Sequence, residues 1–201
     1  MVNSMSHLFD HVNTYQSKIN ALFANLDIAE LDRVIKRIIL AFKEGNSIYI
    51  AGNGGSAATA SHIHEDFVFY SRHFTEKRLK VVSLTNNIPF ITAVANDVGY
   101  EDIFVEQMRS NFNKGDILIV ISASGNSKNV IRAVEYANKI GGTSIAFVGF
   151  NGGQLKNISD ICLFTSNPKG DYGPIEDMHL ILGHLIISYF SVNNNFMKLS
   201  C

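Results

Sequence analysis

Few stretches constrain a chain as tightly as Ser47-Ile48-Tyr49-Ile50-Ala51 followed at once by Gly52-Asn53-Gly54-Gly55-Ser56, a β-branched and aromatic run that stops in a glycine turn. The run has strand composition and helix-compatible residues follow from Ala57, so the unit reads as strand, tight loop and helix. Gly52, Gly54 and Gly55 permit positive φ and close approach of a ligand to the backbone, and the helix start offers unpaired N–H groups to an anion such as phosphate. The same unit returns as Asp116 to Ile121 followed by Ser122-Ala123-Ser124-Gly125-Asn126-Ser127, now with three hydroxyls able to donate to phosphate oxygens.

The rest of the chain fits around these units. Apolar residues recur at helical spacing from Leu8 to Phe23 and from Ile28 to Lys43, which predicts a helical hairpin over about 6–44, closed by Glu44-Gly45-Asn46. Beyond the glycine loop the pattern predicts a helix over Ala57–Tyr70, a strand over Lys80–Leu84, and helices over Ile88–Ala95 and Ile103–Asn111. The second strand–loop unit continues into a helix over Asn129–Ile140, then a strand over Thr143–Val148, a helical turn over Gly152–Ile158 and a last strand over Ile161–Phe164. Strands alternating with helices imply an α/β fold: about five strands in a mostly parallel sheet with helices on both faces, ligands sitting beyond the carboxyl ends of the strands. A length of 201 residues suits a single domain spanning 1–201.

Charge and cysteine usage narrow the partner. A formal net charge of −1 with intermixed signs provides no basic face, so the expected partner is a small molecule and not a nucleic acid. Cys162 and Cys201 give neither zinc spacing nor a disulfide framework, and Met1 to Ser6 has no basic n-region leading into an apolar core, so a cytoplasmic location is expected. His179–Val192, the most apolar segment, is read as too short for a bilayer and as a buried helix, within the core or between subunits, with no membrane partner.

Gly52-x-Gly54-x-x-Ala57 matches a loose dinucleotide fingerprint, yet Val81-Val82-Ser83-Leu84-Thr85 ends without the acid that would hold a ribose. In the helix after the glycine loop, His62 and Asp66 are four residues apart and share a face, a spacing suited to a metal ion or to acid–base chemistry; His64 points elsewhere. The last helix places Glu176, His179 and His184 among aliphatic neighbours, where a histidine is usually a core residue. Its first two turns are nonetheless the candidate second wall of the site.

Together, Gly52-Asn53-Gly54-Gly55-Ser56, Ala95-Asn96-Asp97-x-Gly99-Tyr100, Ile121-Ser122-Ala123-Ser124-Gly125-Asn126-Ser127 and Glu176-Asp177-x-His179 to His184 resemble the sugar-isomerase (SIS) domain of phosphoheptose isomerases over almost the whole chain. That resemblance implies a three-layer sandwich and conversion of sedoheptulose 7-phosphate to D-glycero-D-manno-heptose 7-phosphate for bacterial heptose synthesis. It also implies zinc as cofactor and a cytoplasmic homotetramer with active sites at subunit interfaces. By position it implies substrate contacts at Asn53, Gly54, Gly55, Ser56, Asp66, Asn96, Asp97, Ser122, Ala123, Ser124, Ser127 and Glu176. The implied metal ligands are His62, Asp66, Glu176 and His184, with Asp66 and His184 as the acid–base pair. Asp66 and Glu176 stand where the family has glutamate and glutamine. The alternatives are an isomerase of another phosphosugar, or a non-catalytic SIS module that binds a phosphosugar or a protein.

Overall fold

The computed structural model describes residues 4–73 and 78–192, so Cys201 lies outside the described residues. In chain order the elements are α1 (Ser4–Ala24), α2 (Ile28–Glu44), β1 (Ser47–Gly52), α3 (Gly55–Tyr70), β2 (Lys80–Ser83), α4 (Ile88–Asp97), α5 (Val105–Asn111), β3 (Ile117–Ser122), α6 (Lys128–Ile140), β4 (Thr143–Val148), α7 (Leu155–Ile158), β5 (Ile161–Phe164) and α8 (Tyr172–Val192). The five strands form one sheet in the order β2-β1-β3-β4-β5, and every pairing is parallel. Strand order reverses between β1 and β3, and their register pairs Gly52 with Ile121. The glycine and serine loops therefore leave the sheet side by side at its switch point, where parallel sheets open a crevice for ligands.

Alternate residues of each strand face opposite layers. Ile48, Ile50, Ile117, Ile119, Ile121, Ile145, Phe147 and Leu163 pack under α2, α3 and α8, whereas Tyr49, Ala51, Leu118, Val120, Ala146 and Val148 pack under α4, α5, α6 and α7. Both faces are covered, and this is why the strands read as nearly continuous apolar runs. Local chemistry sets the helix ends. The Asp27 carboxylate accepts from the Ala29 and Glu30 N–H groups at the start of α2, and Gly45, at φ 74°, closes it with N–H bonds back to Ala41 and Phe42.

Three boundaries differ from the sequence reading. Gly55 and Ser56 belong to the first turn of α3, and the helix expected from Ile103 begins at Val105, after a separate 3₁₀ turn at Tyr100–Asp102. α8 begins at Tyr172 and runs for 21 residues, so by length and composition it can cross a membrane, contrary to the expectation for its apolar half. Its Ile175, Met178, Leu182, Ile186 and Phe190 are nonetheless buried in the core beneath α1 and α3, each contributing about 1.5–3 kcal/mol through burial.

Candidate active site

The two loops are built as rigid cradles. Of the three glycines in the first, Gly54 alone uses the left-handed region, at φ 53°. Gly52 and Gly55 are needed for closeness: a Cβ on Gly52 would stand 2.5 Å from the Ser56 carbonyl oxygen, and one on Gly55 would stand 2.6 Å from the Glu176 carboxylate. In the second loop the Gly125 N–H donates to Ser122 Oγ at 3.1 Å, the Asn126 N–H to Ser124 Oγ at 3.3 Å, and the Asn126 amide to the Ser124 carbonyl at 2.9 Å. Ser56, Ser122 and Ala123 are buried, so their contribution to a ligand is through the backbone, while Ser124 and Ser127 are half-exposed. Ser127 caps α6 without a side-chain hydrogen bond to it, leaving its hydroxyl available.

Beside the serine loop lies a cavity of about 210 Å³ lined by Ser124, Asn126, Phe150, Asn151, Asn167 and Lys169. Its amides are occupied by the scaffold: Asn167 accepts the Phe150 N–H and donates to the Asp171 carbonyl, Asn126 accepts the Gln154 N–H, and Asn151 accepts the Gly153 N–H. The Ser124 hydroxyl and the Lys169 ammonium line the same cavity, a pair that suits an anion. A second cavity, of about 370 Å³, is lined by Asn53, Tyr100, Glu101, Ser127, Lys128 and Asn129. There Asn53 and the buried Asn129 exchange amide hydrogen bonds of 2.9 and 2.8 Å, and the Tyr100 hydroxyl donates to Asn53 at 2.8 Å. A larger cavity, about 820 Å³, is lined by Tyr49, Val82, Phe90 and Gln107 among others and holds none of the expected site residues.

About two turns along α3 from Gly55, the third group of residues converges. His62 Nε2 and His184 Nε2 are 2.9 Å apart, so one ring donates and the other accepts, and each nitrogen is 3.5 Å from Asp66 Oδ2. Asp66 is 5% exposed and Oδ2 has no hydrogen-bond partner, although burying a carboxylate oxygen unpaired is costly. Three ligand atoms within 4.8 Å of one another, two imidazole nitrogens and an orphaned carboxylate oxygen, fit a divalent cation. The structure thus places His62, Asp66 and His184, three of the residues singled out in the sequence, at one point.

Glu176 is not brought to that point. It sits about two turns before His184 on α8, roughly 12 Å along the axis, with its carboxylate against Gly55 at the start of α3. The fourth metal ligand that the resemblance implies at Glu176 therefore does not join the cluster within one chain: eight residues of helix set it about 80° of rotation and two turns of height from His184. Asn96 and Asp97 are exposed at the end of α4, bonded to each other at 2.7 Å, and adjoin the loops through Tyr100. Sequence reasoning missed Asn129, Tyr100 and Lys169 as site residues. Asn129 carried a legible signal, since it lies in step with Ala133 and Ala137 on the buried stripe of α6, where an amide must find partners.

A family model for the SIS domain matches residues 14–149. The phosphoheptose isomerase of Aneurinibacillus thermoaerophilus is 38% identical over 184 residues, covering 88% of this chain and 90% of the relative. Among solved structures, the phosphoheptose isomerase of Neisseria gonorrhoeae superposes with a TM-score of 0.84 at 26% identity, covering 94% of this chain and all of the other, and that of Francisella tularensis has the same score and identity, covering 95% and all.

Proposed function

This chain belongs to the SIS-domain phosphoheptose isomerase family of aldose–ketose isomerases, and on that footing we propose that it interconverts sedoheptulose 7-phosphate and D-glycero-D-manno-heptose 7-phosphate as a step in heptose synthesis. The observation that carries the reading is the meeting of His62, Asp66 and His184 around an orphaned carboxylate oxygen, because a module that only binds has no use for a buried base flanked by two imidazoles. The distance from Gly55 to His62 along α3, about 10 Å, suits an extended seven-carbon phosphosugar with its phosphate at the loops and its carbonyl end at the cluster.

In the proposed mechanism, Ser124, Ser127 and Lys169 hold the phosphate and so fix the reacting carbons relative to α3. Asp66 takes the proton next to the carbonyl, and His184 returns one at the neighbouring carbon through an enediol-like intermediate. His62, Asp66 and His184 would hold the cation, zinc in this proposal, which when bound supplies Lewis-acid polarisation of the substrate carbonyl. Glu176, beside the glycine loop, serves the substrate along its length; Asn53, Gly54, Gly55, Asn96 and Asp97 line the same path. The enzyme is proposed to work in the cytoplasm as a homotetramer, with neighbouring chains completing each site.

The test is to incubate purified protein with a panel of ketose phosphates, with and without added zinc, and to detect aldose phosphate. Turnover of the seven-carbon ketose is expected. Turnover of a different ketose only would reassign the substrate, and binding without turnover of any would favour the non-catalytic module.

A further inference from the structure

The hydrogen bonds around Asn53 determine which way its amide faces, although oxygen and nitrogen of an amide look alike by shape. The fixed point is the backbone N–H of Val130, which can only donate, and it donates to Asn129 Oδ1 at 3.0 Å. Asn129 Oδ1 is thereby the acceptor, and its partner across the 2.9 Å contact must be Asn53 Nδ2. The other half of the exchange follows, with Asn129 Nδ2 donating to Asn53 Oδ1 at 2.8 Å. The Tyr100 hydroxyl, 2.8 Å from the same oxygen, must then donate as well.

Asn53 Oδ1 is saturated by two donors, and Asn53 Nδ2 has spent one of its two hydrogens. The second is left for the 370 Å³ cavity that Asn53 lines together with Ser127 and Lys128. Glu101, also on that wall, is 3.7 Å from Arg132 and so has its own cation. The cavity thus presents an amide N–H, a hydroxyl and an ammonium to its guest, and the complementary ligand atom is an oxygen that accepts, as on a sugar phosphate.

We propose that Tyr100 and Asn129 are positioning residues that lock the Asn53 amide as a hydrogen-bond donor toward the phosphosugar, an inference that rests on the isomerase reading above. Asn129 makes the lock directional by relaying the polarity of a backbone N–H of α6 to the glycine loop. Tyr100 closes it from the segment between α4 and α5, so the three segments meet on one side chain.

Because both residues act through Asn53, the decisive experiment is a double-mutant cycle of Tyr100→Phe and Asn53→Ala, read as kcat, KM and thermal midpoint with the ketose phosphate that the wild type turns over. Tyr100 is 56% exposed, so its loss of one hydroxyl leaves the fold intact. Tyr100→Phe should raise KM by about fivefold with kcat and thermal midpoint unchanged, the size of one ordinary hydrogen bond. In the Asn53→Ala background the same change should have no further effect, since the group it orients is gone. Asn129→Asp, which keeps the acceptor for Val130 and removes the donor to Asn53, should raise KM by at least as much as Tyr100→Phe. A wild-type KM in Tyr100→Phe, or an equal rise in both backgrounds, overturns the proposal. If the wild type turns over no ketose phosphate, the isomerase reading fails, while the same cycle read as calorimetric affinity for sedoheptulose 7-phosphate still decides the positioning role by the same two outcomes.

Discussion

Asp66 and His179 are both buried ionisable side chains lacking hydrogen-bond partners at key atoms, yet only Asp66 has a part in the proposed chemistry. Asp66 is flanked by two histidines that give its charge a purpose, and Asp66→Asn should lower turnover by at least about 100-fold in steady-state assays while the fold persists. His179 is fully buried and packs near the Phe147 ring; the Val148 backbone lies close enough to favour the imidazolium slightly but forms no hydrogen bond with it. Burial pushes the His179 pKa down to about 4 from an ordinary 6.5. The unfolded chain therefore binds this proton first as pH falls, and stability is lost between pH 6.5 and 4 by up to about 3 kcal/mol. Denaturant titrations at pH 7.5 and 5 should reveal this slope, and His179→Leu should remove most of it. In sequence, His179 and His184 looked alike, two histidines on one apolar helix. What separates them is the neighbouring helix, and no one-dimensional pattern reports which face meets it.

At the level of elements, α3 and α8 run side by side in the same sense, with Gly55 beside Glu176 at one end and His62 beside His184 at the other. Their close approach depends on Gly183, where a Cβ would stand 2.5 Å from Ile63 Cγ1. Gly183→Ala should cost about 1–3 kcal/mol of stability by overpacking. It should also lower kcat by roughly tenfold or more, because it adjoins the 2.9 Å histidine contact that positions the pair; comparing the denaturation midpoint with single-turnover rates separates the two effects. Asp27→Ala removes the cap of α2, which contributes no residue to the proposed site, and should cost about 1 kcal/mol with turnover unchanged. The strand–loop–helix units, the parallel sheet and the pairing of the loops were legible because β-branched runs, glycines and helical stripes are local signals. The turn of α3 that stands opposite Glu176 was not, since spacing along one helix does not report what a neighbour brings against it.

For the molecule as a whole, α1 is the least enclosed element. It is fastened through Tyr15, whose hydroxyl donates to Asp177 at 2.5 Å, and through Lys18, paired with Asp171 at 2.8 Å. The Asp177 hydrogen bond raises the Tyr15 pKa to about 12, so this fastening holds across the neutral range and is lost only as pH climbs from 10 toward 12. On the adjoining face and toward its N-terminus, α1 carries Met5, Leu8, Phe9 and Val12, all more than half exposed, a stripe that suits a neighbouring copy in the proposed tetramer. Leu8→Glu with Phe9→Glu should shift the mass in light scattering toward that of one chain. The fastening of α1 gives dilution a chemical meaning. Asp177 is next to Glu176 in the chain, so copies that separate would loosen α1 and, through Tyr15, the residue beside the glycine loop. Specific activity would then be a property of concentration: a plot of initial rate against enzyme should bend upward at its foot, and Tyr15→Phe should uncouple that bend from the change in mass.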